Sequence, residues 1–232
     1  MRAVVLAAGK GIRMGKLTKD LPKVLIKIAD KPFLWYLLKA LKAAGISEIG
    51  LVVGYKKEKI KKFLESEHFN NIVLIEQRQQ LGTGHAVSHA RQFVKNEPFL
   101  VLMGDNLCSV MDIKELSKAS RPTIAATEVK NPSKYGVLVC DGDKLLKIEE
   151  KPKSASSSLV NAGAYLLTKD IFAAIEQIEK SPRGEYELTD ALMQLESVFV
   201  YKLEGYWTDM GSPDDIPKVE KAVRKLFNRP SS

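Results

Sequence analysis

The 232-residue sequence predicts an α/β fold: a three-layer α/β/α sandwich on a mixed, mostly parallel sheet, with a small β-rich extension in its second half. Three observations carry this. Short continuous apolar runs at Ala3–Leu6, Ile49–Val53, Ile72–Ile75 and Phe99–Met103 have the length and lack of alternation of strands buried on both faces. Segments with helical spacing separate them, which is the order of a chain crossing over between parallel strands. After Pro122 the pattern changes to closely spaced strand-like runs.

The first strand runs into Ala7, Ala8, Gly9, Lys10 and Gly11. Small residues let main-chain N–H groups approach an anion and tolerate the dihedrals that an N–H-lined turn needs. Arg13 and Lys23 follow, and strand, glycine turn and two cations together make a cradle for a polyphosphate. Two familiar phosphate motifs do not fit: Gly9, Gly11 and Gly15 are spaced one residue too widely for the dinucleotide fingerprint, and Gly15–Leu17 lacks the hydroxyl residue of a P-loop. Val24–Ile28 reads as extended, Pro32 as the first residue of a helix that continues over Phe33–Ala44, and Gly45 as its stop. Tyr55–Glu65 reads as an amphipathic helix with Ile60, Phe63 and Leu64 inward and a solvated lysine face.

In such sheets ligands bind beyond the carboxyl ends of the strands, which places Gly9, Gln77 and Asp105 on one edge. A glutamine amide donates and accepts at once, so Gln77 suits the imide edge of uracil or thymine. Gly82, Thr83 and Gly84 form a small-residue turn opening a helix, either a close backbone clamp for a nucleotide or an ordinary helix start. His85 and His89 stand at i,i+4 with no third ligand nearby, so capping and packing are expected of them rather than a metal. Asp105, at the end of a buried strand, is placed for Mg²⁺ or is a plain turn aspartate. Cys108 reads as packing, and Asp112–Glu115 has capping-box spacing that starts the next helix.

In the second half Thr123–Val129, Gly136–Cys140, Leu145–Glu149 and Leu159–Leu167 read as strands, with a hairpin turn at Asp141–Asp143. Lys169–Lys180 is a helix, and Arg183–Asp190 leads into another that is expected to close over the sheet without doing chemistry. Ser212, Pro213 and Asp215 cap a last helix.

Composition narrows the functions. The length suits one large domain or two small ones, and 45% apolar residues suffice for a substantial core. No apolar run approaches the roughly 18 residues of a membrane span, and no signal-peptide pattern opens the chain. Two cysteines do not suggest a disulfide framework, so a cytoplasmic protein is expected. A net charge of +8 suits anionic partners; the lysines lack interleaved aromatics, which argues against nucleic acid.

The opening LAAGxGxRM, followed by Leu17–Thr18 and Pro22–Lys23, resembles the signature of the sugar-1-phosphate nucleotidylyltransferases, with Lys16 where that family usually has proline. The QLGTGHA wording at Gln80–Ala86 is similar to their base-binding segment, closest to the N-acetylglucosamine-1-phosphate uridylyltransferases. Tyr135–Val137, Glu149–Pro152, Asn161–Gly163 and Trp207–Gly211 resemble later motifs in family order, so the likeness covers roughly residues 1–216. It implies a Rossmann-like single nucleotidyltransferase domain: residues 1–120 for the nucleotide, 121–211 for the sugar, and 212–232 as a C-terminal helix. No hexapeptide repeat of a left-handed β-helix follows, so no acetyltransferase activity is expected.

The resemblance also implies roles. Leu6, Ala8, Gly9, Gly11, Gln77, Gly82 and Thr83 would bind the nucleotide. Gly136, Glu150 and Asn161 would hold the sugar, with Lys151 near its phosphate and the choice between Glu149 and Glu150 open. Asp105 and Asp209 would hold Mg²⁺, Arg13 would face the leaving pyrophosphate, and Lys23 would bridge the reacting phosphates. The implied reaction joins a nucleoside triphosphate, UTP or dTTP, to glucose 1-phosphate or N-acetylglucosamine 1-phosphate. A cytidylyltransferase for a non-sugar phosphate and a catalytically silent nucleotide sensor are the alternatives. Homo-oligomers are common in that family, and the sequence leaves the oligomeric state open.

Overall fold

A computed structural model describes residues 1–227. In chain order its strands are β1 (Arg2–Ala7), β2 (Lys27–Ile28), β3 (Lys31–Pro32), β4 (Glu48–Val53), β5 (Ile72–Glu76), β6 (Phe99–Met103), β7 (Asn106–Cys108), β8 (Thr123–Glu128), β9 (Gly136–Asp141), β10 (Lys144–Glu150), β11 (Leu159–Leu167), β12 (Phe199–Lys202) and β13 (Trp207–Asp209). Its helices are α1 (Phe33–Ala43), α2 (Lys57–Ser66), α3 (Thr83–Ser88), α4 (Arg91–Val94), α5 (Val110–Ser117), α6 (Asp170–Gln177), α7 (Leu188–Leu192) and α8 (Ile216–Phe227).

One nine-stranded sheet runs in the order β5-β4-β1-β6-β11-β8-β12-β10-β9. From β5 to β6 the pairings are parallel. β11 then lies antiparallel to both β6 and β8, and the β9–β10 hairpin closes the far edge. The β-rich half is thus an extension of the same sheet, antiparallel except where β12 runs parallel to β8.

Alternation along β1 explains the three layers. Ala3, Val5 and Ala7 point into a core shared with α1, α2, α5 and α8, whereas Val4, Leu6 and Ala8 point into a second core with α3, α4, α6 and α7. A strand buried on both faces has no polar positions to spare, which is why β1, β4 and β6 read as continuously apolar; β5 does not share this burial, since it forms the sheet edge and leaves Val73 and Leu74 exposed. Gly45 ends α1 at φ 87°, a left-handed position that glycine takes without steric cost.

Several local expectations change. Pro32 is extended and pairs with Lys27 in β3, so α1 begins one residue later. Lys23–Leu25 forms a 3₁₀ turn, and only Lys27–Ile28 of the expected extended segment is strand. The helix after β7 starts at Val110 with Ser109 as its cap, whose hydroxyl accepts the Asp112 N–H. Asp112 therefore lies inside the helix rather than at its start. β7, β12 and β13 are strands that the sequence did not announce, because three or four residues are too few to show a period. The capping box at Ser212 and Asp215 is present, with Pro213 in the first turn. Of the expected C-terminal helix 212–232, residues 228–232 lie outside the described residues. Among the described residues no helix is long and apolar enough to cross a membrane.

Candidate active site

Parallel strands that start together end together, so β1, β4, β5 and β6 deliver their following loops to one edge. There the chain leaves β1 through Ala8 and Gly9, while the Gly104 N–H donates to the Leu6 carbonyl at 2.9 Å. Gly11 sits at φ 65°, and a Cβ on it would lie 2.8 Å from Lys23 Cβ. The bare glycine thus gives the Lys23 stem its seat. Thr18 locks the turn by donating its hydroxyl to the Gly11 carbonyl at 2.9 Å. From this seat buried Lys23 reaches Asp105, with Nζ 2.5 Å from Oδ2.

Asp209 arrives from the far end of the chain. β13 pairs antiparallel with β7, setting Asp209 opposite Asn106, and the Met210 N–H donates to the Asp105 carbonyl at 2.9 Å. The two aspartates, 104 positions apart in sequence, so flank one ribbon. Burial first, then the charge of Asp215, and also that of Asp105, raise the Asp209 carboxyl above the usual aspartate range; Lys218 and the Tyr135 hydroxyl oppose the rise. Tyr135 donates to Asp209 Oδ1 at 3.1 Å. Arg13, Asp209 and Asp215 gather around Gly211, whose missing side chain leaves them room.

Two adjoining hollows of about 650 and 690 Å³ open on this line and share Arg13, Thr83, Asp105, Arg183 and Gly211. The first is bordered by Leu6, Ala8, Gly9, Gly11, Lys23, Gln77, Gly82 and Thr83. Gln77 is buried, and its amide nitrogen donates to the Gly82 carbonyl at 3.2 Å and approaches His85 Nδ1 at 2.9 Å. The Gln77 amide nitrogen thus lies between the Gly82 turn and the His85 ring, while the residue still borders the hollow. His85 is thereby a packing residue, its ring edge-on to His89 at 4.6 Å, and burial, then the neighbouring His89, hold its pKa below the ordinary histidine value.

The second hollow is bordered by Tyr135, Glu150, Lys151, Asn161, Tyr165 and Trp207. Glu150 faces it, whereas Glu149 is engaged by Lys147 and Ser156. Gly136 lies between Glu150 and Asn161, since a Cβ there would meet Glu150 Oε2 at 3.3 Å and Asn161 Cβ at 3.8 Å. Asn161 is oriented by two contacts: Nδ2 donates to the Tyr165 hydroxyl at 2.8 Å, and Oδ1 accepts the Gly163 N–H at 2.9 Å. Tyr165 is pushed up to about 12, chiefly by burial, so it stays a neutral partner at neutral pH. Lys151 holds the left-handed region at φ 42°, a strained setting for a non-glycine residue that turns it into the hollow.

Residues 181–190 do more than cover the sheet. Ser181, Arg183, Glu187, Thr189 and Asp190 border the second hollow, a contribution the sequence reading missed. Buried Glu187 accepts from Arg183 at 2.7 Å and Ser181 at 3.2 Å. Thr83 Oγ1 accepts the Leu188 N–H at 2.8 Å, and the Gly84 N–H reaches the Tyr186 carbonyl at 2.8 Å. The segment thereby ties the two hollows together. A Cβ on Gly82 would lie 2.5 Å from the Tyr186 carbonyl oxygen, so that position requires glycine.

Among the described residues no group of three or more His, Cys, Asp and Glu is arranged to hold a metal alone. Asp105 and Asp209 offer hard carboxylate oxygens on one ribbon, and burial among further acids leaves Asp209 short of positive charge. That donor set fits Mg²⁺, which is commonly held by one or two carboxylates with substrate phosphates and water completing the shell.

The family model described as Nucleotidyl transferase matches residues 2–225. The bifunctional protein GlmU of Methanocaldococcus jannaschii is 41% identical, over 98% of this chain and 55% of its own length. Glucose-1-phosphate thymidylyltransferase of Streptomyces antibioticus is 35% identical, over 96% of this chain and 66% of its own. The chain thus spans between half and two thirds of the length of these relatives. Among solved structures, UDP-glucose pyrophosphorylase complexed with UDP-glucose is 27% identical with a TM-score of 0.85, covering 97% of this chain and 98% of that one.

Proposed function

The chain belongs to the nucleotidyl transferase family, and we propose that it transfers a nucleotidyl group from a nucleoside triphosphate to a sugar 1-phosphate, releasing pyrophosphate. One observation carries the reading: two adjoining hollows, each roomy enough for a substrate, meet where Arg13, Lys23, Asp105 and Asp209 converge. The substrates are UTP or dTTP and glucose 1-phosphate or N-acetylglucosamine 1-phosphate; the thymidylyltransferase relative and the UDP-glucose pyrophosphorylase neighbour support the choice of glucose 1-phosphate with dTTP or UTP.

A sugar phosphate oxygen is already ionised near neutral pH, so attack on the α-phosphorus needs no general base. Alignment and charge neutralisation do the rest. The first hollow holds the nucleotide against the N–H groups of Gly9 and Gly11 and the turn at Gly82 and Thr83. The second holds the sugar against Gly136, Glu150 and Asn161, with Lys151 and Arg183 toward its phosphate. Arg13 stabilises the leaving pyrophosphate. Lys23 leaves Asp105 to bridge the two phosphates as they approach. The family generally uses a divalent metal; here Asp105 and Asp209 would hold Mg²⁺, which neutralises charge on the α-phosphate when bound. Residues 1–120 and 121–211 divide the nucleotide and sugar work, and the enzyme acts in the cytoplasm, with a homo-oligomer in keeping with the family.

The test is pyrophosphate release with Mg²⁺ over a grid of five nucleoside triphosphates against several hexose 1-phosphates. Release that requires both substrates supports the reading and identifies the pair. Release only with CTP and a non-sugar phosphate selects the cytidylyltransferase alternative. Nucleotide binding without release on any combination selects the silent sensor.

A further inference from the structure

Asp112 is a buried carboxylate, 1% exposed, outside both hollows. Among the described residues no Lys, Arg or His pairs with it. Four donors surround it instead. Oδ1 accepts the Tyr201 hydroxyl at 3.1 Å and the Glu204 N–H at 2.9 Å; Oδ2 accepts the Ser109 hydroxyl at 2.6 Å and the Gly205 N–H at 3.0 Å. An ionised carboxylate has about four lone-pair directions, and here each has a donor. Gly205 is bare for the same reason: a side chain on it would run into Ser109 and Asp112.

The bound backbone, Glu204 and Gly205, lies two residues ahead of β13. That strand has three residues and pairs only with three-residue β7. A ribbon so short does little to fix its own register, and a slip by one residue turns every side chain to the opposite face. This ribbon also carries a cost, since buried Thr208 Oγ1 has no hydrogen-bond partner among the described residues. Contacts beyond the three paired residues therefore share in fixing the register: the Met210 N–H on the Asp105 carbonyl at the exit, the Trp207 indole on the Ala162 carbonyl, and at the entrance the Asp112 clasp with the Ser109 N–H on the Tyr206 carbonyl at 3.0 Å.

We propose that Asp112 is a positioning residue for the metal site: by pinning Glu204 and Gly205 it sets the β7–β13 register that brings Asp209 beside Asp105. This rests on the reading of those two aspartates as the metal ligands. Asparagine at 112 would oppose an amide N–H₂ to donors that already point inward, so it removes the clasp while keeping the shape.

The experiment compares wild type with Asp112→Asn by Mn²⁺ titration, following free Mn²⁺ by electron paramagnetic resonance, and by the two tryptophan indole N–H resonances. Loss of an outer contact that orients metal ligands typically weakens metal affinity by about 10- to 100-fold, and that loss is expected here. The Trp207 indole, which donates to the Ala162 carbonyl at 2.8 Å, should shift while Trp35 stays fixed. Unchanged Mn²⁺ affinity in a folded variant overturns the proposal, as does a wild type that binds no Mn²⁺. If Asp112→Asn does not fold, Ser109→Ala and Tyr201→Phe each remove one donor and should weaken Mn²⁺ binding by about two- to tenfold; no change in either overturns it. Pyrophosphate release by wild type is scored separately. Its absence beside an intact Mn²⁺ effect refutes the transferase reading alone.

Discussion

Replacing Lys23 by methionine should move two observables in opposite directions. At an effective dielectric of about 20, unit charges 2.5 Å apart attract by about 7 kcal/mol before desolvation is subtracted. Both side chains are largely shielded, 11% and 26% exposed, so most of that attraction offsets their loss of water; about 1.5–3 kcal/mol remains, the usual net worth of a charged hydrogen bond. A metal ion seeking Asp105 Oδ2 must displace this contact. Methionine keeps the stem that rests on Gly11 and removes the competing charge, so Mn²⁺ should bind about 10- to 100-fold more tightly in the absence of nucleotide. Turnover at saturating Mg²⁺ should nonetheless fall by about 10²- to 10³-fold, because a cation aimed at charge developing in the transition state is lost. A spin-resonance titration and a pyrophosphate-release assay measure the two effects. Tighter Mn²⁺ binding with undiminished turnover would refute the role of Lys23 in phosphate bridging. Unchanged or weaker Mn²⁺ binding would refute the competition inferred from the Lys23–Asp105 pair.

Three further outcomes are expected. Asp209 has a raised pKa, so its protonated form is favoured on folding; its contribution to stability is fullest at low pH and is lost as pH rises from the ordinary aspartate value through the raised one, while metal binding strengthens over the same window. Asp215→Asn removes a neighbouring negative charge and should move the acid limb of the Mg²⁺ half-saturation profile to lower pH; an unmoved limb would rule out that coupling. Gly163→Ala places a Cβ at φ 72° against the Asn106 amide, which should cost about 2 kcal/mol or more and lower the melting temperature by several degrees in a calorimetric scan. Phe99, fully buried and stacked on Phe172 at 5.7 Å, should lose about 3–5 kcal/mol on Phe99→Ala in urea unfolding, with the denaturant slope unchanged.

The expected layers were legible because burial on both faces leaves a simple trace. β1 and β4 need apolar residues at all but their first positions and β6 along its length, and α1 and α2 need them at helical spacing, so the first half of the sheet can be read locally. The glycine turn and Asp105 are legible for a related reason: each closely follows such a strand, where the carboxyl edge of a parallel sheet must lie. Longer antiparallel strands such as β8 and β11 could also be found, but not their neighbours, since antiparallel pairing leaves partner choice to contacts far away in sequence.

What only the tertiary structure decided are the relations between distant segments. Asp209 joins Asp105 through a ribbon whose two strands have three residues each, too short to announce themselves. Glu150 rather than Glu149 faces the hollow because strand alternation sends adjacent side chains to opposite sides, and the register of β10 on β9 chooses between them. That Gln77 reaches the Gly82 carbonyl and the His85 ring is likewise invisible in the sequence. Asp112 reads as the start of a helix until the chain returns some ninety residues later to bring it the Glu204 and Gly205 N–H groups. A sequence records which groups a residue carries and which side of a local element it takes; whether those groups are spent on the protein or left for a ligand depends on contacts that exist only once the whole sheet has closed.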